Sequence, residues 1–169
     1  MKKLLPKTAN NPEGFTLVEL MVVITILAIL ALVGLTAFGE AQKRGRDGKR
    51  IQEIEAIAQA LEIHYVNTGA TPGYQPLVNT WFADATIPQD PQHGATPNYD
   101  YCLKMSTSTP QTCDAAIGHH PAGNGSCLTG DTPIVSNITN TPTAGTRYWI
   151  VYAFSEANDT DVYCKTSSQ

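Results

Sequence analysis

Hydrophobic residues fall into two different patterns along the first part of the chain. From Phe15 to Phe38 the residues are apolar on every face of a helix, and Glu19 is the only charged residue among them. A helix of this length spans about 36 Å, which is enough to cross the ~30 Å hydrocarbon core of a bilayer. The pattern predicts a transmembrane helix, because a helix that lies on a soluble core needs a polar face.

A second helical pattern follows this segment and differs from it in having a polar face. Apolar residues recur at spacings of three and four, while glutamate and glutamine occupy other positions; the apolar set is Ile51, Ile54, Ala58, Leu61 and Tyr65. This spacing predicts an amphipathic helix that packs on a core. Asn67, Thr68 and Gly69 then form a helix stop, so we expect the helix to end at about Val66.

The rest of the chain predicts strands that are separated by irregular segments. Residues 67–98 contain several prolines and are expected to form a loop, whereas residues 99–105, 148–154 and 162–165 are rich in aromatic and β-branched residues. A turn pattern at residues 158–161 indicates that the last two strands form a hairpin. The expected fold class is therefore α+β, with a long N-terminal helix whose amphipathic half packs on a small antiparallel sheet.

Residues 106–146 differ in composition from the strands around them. They are rich in Thr, Ser, Gly, Pro and Asn, with too few large apolar residues for a core of their own, so we expect an insertion held down by cysteines. The chain has four cysteines, an even number, which predicts disulfides in an oxidising compartment. Four cysteines allow three pairings, and the sequence does not choose among them. The pairing we favour joins Cys113 to Cys127 within the insertion, and Cys102 to Cys164 between early and late strands.

The formal net charge of −4 is unevenly distributed along the chain. Basic residues cluster just after the apolar helix and form what we call the basic collar: Lys43, Arg44, Arg46, Lys49 and Arg50. Acidic residues predominate beyond the collar, so that region is not expected to bind nucleic acid. The collar is then the sole candidate for a contact with nucleic acid. The collar itself is interpreted as a solvated helix face, or as a contact for anionic lipid headgroups or acidic neighbouring subunits.

Glu19 and the residues just before it carry the most specific information in the chain. A carboxylate inside an apolar span costs roughly 2.5–3.5 kcal/mol, so Glu19 is expected to face a positive partner. The segment from Gly14 to Glu19 reads Gly-Phe-Thr-Leu-Val-Glu, between a short leader with three lysines and the apolar helix. In this order the residues resemble the N-terminal motif of the type IV pilin and type II secretion pseudopilin family.

The resemblance implies a processing site and roles for three residues. In the family, an inner-membrane aspartyl peptidase, the prepilin peptidase, cuts after the glycine, and the new N-terminal residue is N-methylated. Carried over, the cut falls between Gly14 and Phe15, and Phe15 becomes the methylated terminus. Glu19 is then the fifth residue of the mature chain, and its carboxylate is expected to set the register between subunits.

Domain organisation, location and partners follow from the same resemblance. The chain divides into a leader at 1–14, a transmembrane and filament-core helix at 15–39, and a pilin-like head at 40–169 with its sheet at 99–166. The precursor is expected in the inner membrane, leader in the cytoplasm and head outside, and the mature subunit in a cell-surface pilus or periplasmic pseudopilus. The expected partners are the prepilin peptidase, membrane lipid before assembly, the inner-membrane assembly platform, and identical or homologous pilin subunits.

Two classes of function remain, and the first of them divides again. The favoured function is a structural subunit of a type IV pilus-like filament, and the long polar insertion favours a surface pilus over a type II secretion pseudopilus. The competing class is a membrane-anchored binding or enzymatic head that does not polymerise. No Ser/His/Asp order, Gly-rich phosphate loop or pair of catalytic acids stands out, so we predict neither an enzyme nor a cofactor.

Three weaker patterns suggest other chemistry, and each has a simpler interpretation. His119 and His120 could bind zinc, but their spacing from the cysteines matches no common motif. Asp159 and Asp161 could bind calcium, as the corresponding loop does in the major pseudopilin, but the acids are too sparse and we predict a simple turn. Glycosylation triplets, which also arise by chance in a chain this rich in Ser and Thr, begin at Asn124, Asn137 and Asn158. We therefore predict no metal site.

Overall fold

The computed structural model of the protein describes residues 14–69, 72–95, 98–113, 125–135, 145–158 and 160–168. Its elements are helix α1 (Leu17–Ile63), a 3₁₀ helix (Asn79–Trp81), and the strands β1 (Tyr101–Ser106), β2 (Thr132–Ile134), β3 (Tyr148–Phe154) and β4 (Val162–Thr166). The chain divides into two compact units, Met1–Gly39 and Glu40–Gln169, and each is described by itself. We call the second unit the head.

The described part of the first unit is dominated by the apolar half of α1. Its large hydrophobic side chains are all exposed, from Leu17 at 73% to Phe38 at 62%. The helix contains a stretch with a mean hydropathy of 2.8, none of it buried, and by length and composition it could cross a membrane. This surface needs an apolar environment, because exposing it to water is unfavourable in proportion to its area.

The head is built on a four-stranded antiparallel sheet in the order β2-β1-β3-β4. β3 lies inside the sheet and pairs with both β1 and β4; Val151 stands opposite Leu103, and Tyr152 stands opposite Cys164. β2 is a short edge strand, and its Pro133 lies opposite Cys102. An edge position tolerates a proline, because the missing N–H leaves no gap in the ladder on the outer side.

Buried side chains cover both faces of this sheet. On one face, Ile54 and Leu61 of α1 pack in a cluster with Trp149 of β3. On the other face, Tyr152 and Phe154 form a second cluster, with residues of the segment before β2 packed against it. Because both of its faces are covered, β3 is apolar at nearly every position and does not alternate between apolar and polar residues. Each fully buried large side chain stabilises the fold by roughly 1.5–3 kcal/mol relative to an exposed one.

The α+β fold class predicted from the sequence is confirmed by one long N-terminal helix and a small antiparallel sheet. α1 ends at Ile63, close to the expected end at about Val66. β2 was not anticipated by the sequence analysis, and it lies inside residues 106–146. Three residues that include a proline give no alternating pattern, so only pairing with β1 shows that this segment belongs to the sheet.

The disulfide pairing favoured from the sequence is wrong. The structure joins Cys102 to Cys127 and Cys113 to Cys164, with Cα–Cα distances of 5.4 and 6.0 Å. Cys102 in β1 and Cys164 in β4 both stand opposite Tyr152, on either side of β3. Two strand spacings, about 9.6 Å, separate them, which exceeds the ~7 Å that a disulfide can bridge. The intervening strand therefore excludes the favoured pairing.

Candidate functional site

The start of α1 brings the predicted site residues Gly14, Phe15 and Glu19 into one short exposed segment. Thr16 precedes the helix, and its Oγ1 accepts a hydrogen bond from the backbone N–H of Glu19 at 3.2 Å. Thr-x-x-Glu is the spacing of a capping box, in which the threonine satisfies one of the free N–H groups of the first turn. The sequence analysis missed this cap, although the spacing was there to find.

Hydroxyl groups inside the apolar segment are satisfied within the helix itself. The Thr25 hydroxyl donates to the carbonyl of Val22 at 2.8 Å, and the Thr36 hydroxyl donates to the carbonyl of Val33 at 2.9 Å. Such internal pairing suits a helix surrounded by lipid or by other apolar helices. Glu19 is different, because its carboxylate forms no ion pair with any residue that the structure describes. Within the apolar segment, Glu19 is the group that needs an external partner.

The basic collar splits between the surface and the interior of the head. The Arg50 side chain is fully buried, and its guanidinium donates to both carboxylate oxygens of Asp90 at 2.6 and 2.9 Å. It also donates to Asp47 at 2.6 Å and lies 4.6 Å from the centre of the Tyr99 ring, a cation–π distance. Burial lowers the pKa of Arg50, but hydrogen bonds and charges of Asp90 and Asp47 outweigh it and raise that pKa.

Asp47 connects this arginine to the turn after β3. Its carboxylate accepts hydrogen bonds from the Ser155 hydroxyl at 2.8 Å and from the backbone N–H groups of Glu156 and Ala157 at 2.9 and 3.0 Å. Burial alone raises the pKa of Asp47, but these bonds and the Arg50 guanidinium outweigh it and hold the pKa below its ordinary 3.8. The Asp47 carboxylate thus joins α1 to the turn after β3, in a charged and hydrogen-bonded junction that also contains Arg50.

Arg46 adds a second ion pair to the same junction. It forms a fork with both oxygens of Glu156, and this hydrogen bonding lowers the pKa of Glu156. The prediction that the collar is a solvated face is therefore wrong for Arg46 and Arg50. Neither the distant acceptor Asp90 nor Glu156 could be identified from the sequence, because the fold alone brings them to the helix.

The remaining collar residues are exposed and differ in their partners. Lys43 contacts Glu40 at 3.4 Å, and Lys49 contacts Glu53 at 3.5 Å, both within the helix. Arg44 is exposed and forms no ion pair with any of the residues described here. Arg44 is thus the collar cation left available for an external partner.

A groove of about 420 Å³ runs beside α1 and β4 of the head. Its charged lining groups are engaged, since Lys165 pairs with Glu55 at 2.7 Å and Glu62 accepts the Tyr74 hydroxyl at 2.9 Å. The Ser168 hydroxyl also donates to Glu62 at 3.0 Å. These contacts hold the last strand and the chain end against the helix, and they present no free acid and base in catalytic geometry.

Most of the residues in the weaker sequence candidates fall in parts of the chain that the structure does not describe. His119, His120, Asn124, Asn137 and Asp159 lie outside the described residues. Asp161 belongs to a turn, where its backbone N–H donates to the carbonyl of Asn158 at 3.0 Å. Over the described ranges, no group of three His, Cys, Asp or Glu residues is placed to hold a metal ion.

Comparisons with known proteins match the N-terminal segment first. The family model of the prokaryotic N-terminal methylation motif matches residues 10–35. The fimbrial protein of Neisseria meningitidis serogroup B is 41% identical over 61 residues, covering 36% of each chain. The type IV major pilin protein PilE1 of Neisseria gonorrhoeae is 39% identical over 64 residues, which cover 38% of this chain and 30% of that one.

A longer match extends into the head. The type II secretion system core protein G of Pectobacterium carotovorum is 30% identical over 94 residues, which cover 55% of this chain and 60% of that protein. No solved structure matches the chain. The matched region spans about a third of the length of the fimbrial relatives, so what those proteins do as a whole is carried over only as a proposal. The N-terminal motif and these relatives support a place for the chain among the type IV pilins and type II secretion pseudopilins.

Proposed function

We propose that this protein is a structural subunit of a type IV pilus-like filament, assembled through its apolar N-terminal helix. The observation that carries the proposal is the apolar half of α1, whose large side chains are exposed and follow a methylation motif. Before assembly the membrane would cover this surface, and in the filament the helices of neighbouring subunits would cover it. A protein with this role needs no catalytic group, and we propose no enzymatic activity.

Processing is the first step of the proposed pathway. The prepilin peptidase would cut between Gly14 and Phe15 and leave Phe15 as an N-methylated amine, which keeps its positive charge. Cutting there also preserves Thr16, whose hydroxyl caps α1, as the second residue of the mature chain. The helix would therefore start with its cap in place. The precursor would lie in the inner membrane with the head outside, where the disulfides can form.

Glu19 would act at the assembly step. Its carboxylate lacks an ion pair among the described residues, and an unpaired carboxylate is costly in an apolar medium. The Phe15 amine of a neighbouring subunit is a cation that processing itself creates at the right end of the helix. Pairing the two would set the axial stagger between subunits as well as contribute to their affinity.

A type II secretion pseudopilus is the second candidate, and a specific observation supports it. The match to the secretion core protein covers more of this chain than the matches to the fimbrial proteins do. A different observation favours a surface pilus. The long segment at residues 106–146 is joined to the sheet by two disulfides, and such a segment suits an exposed filament face. The two are separated by location, since shearing releases surface pili and not a short periplasmic filament.

The test combines processing with assembly. Mass analysis should find a mature chain that begins at Phe15 and carries one added methyl group. Glu19→Ala should be cleaved normally, since the segment becomes more apolar, but should yield few or no filaments. Thr36→Ala is the matched control, because its hydroxyl is satisfied within its own helix, and it should assemble like the wild type.

Two outcomes would overturn the proposal. An N-terminus that remains at Met1, or that lies beyond Phe38, would contradict processing at the motif. A processed wild-type chain that never appears in filaments would favour the competing class, a membrane-anchored head that does not polymerise. If Glu19→Ala assembled at the wild-type level, the pairing with the Phe15 amine would be wrong even though the filament role stood.

A further inference from the structure

The two disulfides of the head lie on the same face of the sheet but differ in burial. Cys102 in β1 and Cys164 in β4 stand on either side of Tyr152 in β3, so their side chains share the face opposite α1. Cys127 and Cys164 both pack against the buried cluster of that face. Their bonding partners differ, since Cys102 is fully buried and Cys113 is exposed. The Cys113–Cys164 bond is therefore the one that an external reagent can reach.

Backbone oxygens lie against both sulfur atoms of the Cys102–Cys127 bond. The Sγ of Cys102 is 3.6 Å from the carbonyl oxygen of Asp100, and the Sγ of Cys127 is 3.8 Å from the carbonyl oxygen of Tyr101. A thiolate that breaks a disulfide must approach one of its sulfur atoms closely, and the partial negative charge of a carbonyl oxygen repels it. Burial and these oxygens together protect this bond from attack.

The exposed bond holds down the segment that precedes Cys113. Residues 107–112, which we call the strap, connect β1 to a cysteine that is bonded to β4, and β3 separates those two strands. Hydrogen bonds of the strap to other described residues are local: the backbone N–H groups of Ser108 and Thr109 donate to the Ser106 hydroxyl at 3.4 and 3.1 Å, and one more bond lies within the strap. Within the described part of the chain, the disulfide is thus the bond that fixes the far end of the strap.

The segment after Cys127 is held by several contacts besides its disulfide. The backbone N–H of Leu128 donates to the Tyr152 hydroxyl at 3.2 Å, and the same hydroxyl donates to Asp131 at 2.7 Å. β2, which follows at once, pairs with β1. Breaking the Cys113–Cys164 bond would therefore free the strap, while the sheet and the segment before β2 would keep their own contacts.

We propose that Cys113–Cys164 is a site of reversible thiol–disulfide exchange with an external dithiol, and that Cys102–Cys127 is a permanent bond. A thiolate of the dithiol attacks the Sγ of Cys113, the S–S bond breaks, and Cys164 leaves as a thiolate that takes up a proton. The second thiolate of the dithiol then attacks the mixed disulfide and releases Cys113, which is protonated in turn. The protein disulfide gains two electrons, and the reagent loses them as it becomes a disulfide.

Partial reduction of the full chain in detergent tests the proposal. The protein is treated with a low concentration of dithiothreitol, and the free thiols are alkylated at intervals and identified by peptide mass analysis. We expect Cys113 and Cys164 to be alkylated about tenfold faster than Cys102 and Cys127, because exposed disulfides are the labile ones. In urea the two bonds should be reduced at similar rates, which controls for the reagent. Removing the dithiol and adding oxidised glutathione should restore the Cys113–Cys164 bond.

Two controls separate exchange at the exposed bond from unfolding of the head. Tryptophan fluorescence should stay unchanged while Cys113–Cys164 is reduced, since both tryptophans of the chain lie in the head. A variant with both Cys113→Ser and Cys164→Ser retains the buried bond. That bond should resist the same dithiothreitol treatment as it does in the wild type, because its protection comes from the sheet and not from the strap.

Three results would overturn the proposal. The first is equal reduction rates for the two bonds without urea, or faster reduction of Cys102–Cys127. The second is a change in fluorescence that accompanies the loss of Cys113–Cys164, because reduction would then proceed through unfolding. The third is rapid reduction of the buried bond in the double variant. All of these measurements use unassembled chains, so their outcome is independent of whether the protein forms filaments.

Discussion

The buried ion pair between Arg50 and Asp90 makes a strong prediction about stability. Asp90→Ala removes the carboxylate that holds two donors of the guanidinium at 2.6 and 2.9 Å. Arg50 remains fully buried, with the carboxylate of Asp47 as its strongest remaining partner. A buried charge that loses one partner destabilises a protein by about 3–5 kcal/mol, because water cannot replace the lost bonds. This is a large part of the 5–15 kcal/mol typical of a whole domain.

A double-mutant cycle with Arg50→Met measures the pair directly. Methionine keeps an apolar side chain in place of the arginine stem and removes the charge. Arg50→Met alone therefore leaves the buried carboxylate of Asp90 without its ion pair. The double variant leaves no unpaired charge at the pair and should cost less than the sum of the singles, by a coupling of about 2 kcal/mol. Asp47 tolerates the change, since Ser155 and two backbone N–H groups still bond to it.

Urea unfolding of the full chain in detergent provides the assay, followed by tryptophan fluorescence. Both tryptophans of the chain, Trp81 and Trp149, lie in the head, so the signal reports the unfolding of that unit. Lys43→Ala is the control, because it removes an exposed pair and should cost less than about 1 kcal/mol. If Asp90→Ala cost no more than this control, the claim that the junction holds the head together would be refuted.

Three further predictions concern other contacts of the head. Folding lowers the pKa of Asp47, so the ionised carboxylate stabilises the head. This stabilisation is complete above the ordinary pKa of 3.8 and is lost as the pH falls through the lower pKa of the folded state. Urea titrations at different pH values should show this loss in the wild type and not in Asp47→Asn. Replacing Cys113 and Cys164 together should lower the free energy of unfolding by about 4 kcal/mol, because the disulfide closes a loop with a sequence separation of 51. A non-reducing peptide map of the wild type that lacks this link would contradict the pairing. Gly125→Ala would make the new Cβ overlap with the buried Tyr99 ring, so thermal unfolding should reveal a loss of stability of about 1–3 kcal/mol. An unchanged unfolding midpoint would argue against that contact.

Local patterns in the sequence predicted the family resemblance, the membrane-length helix and the fold class. The motif from Gly14 to Glu19 is read from consecutive residues, and the apolar run to Phe38 needs no partner to be recognised. The strand from Tyr148 to Phe154 was predicted with its observed bounds, because an apolar run of aromatic and β-branched residues is typical of a covered strand. Each of these features depends on residues that are neighbours in the chain.

The tertiary structure decided the contacts between residues that are far apart in the chain. Arg50 looked like one more cation of a solvated face, and only the approach of Asp90 and Tyr99 makes it a buried charge. The position of β3 between Cys102 and Cys164 decided the disulfides, because strand order sets the distance between cysteines that spacing along the chain leaves open. Burial and long-range pairing depend on how segments meet in space, which is why a single sequence shows the elements of this protein and the fold alone shows their partners.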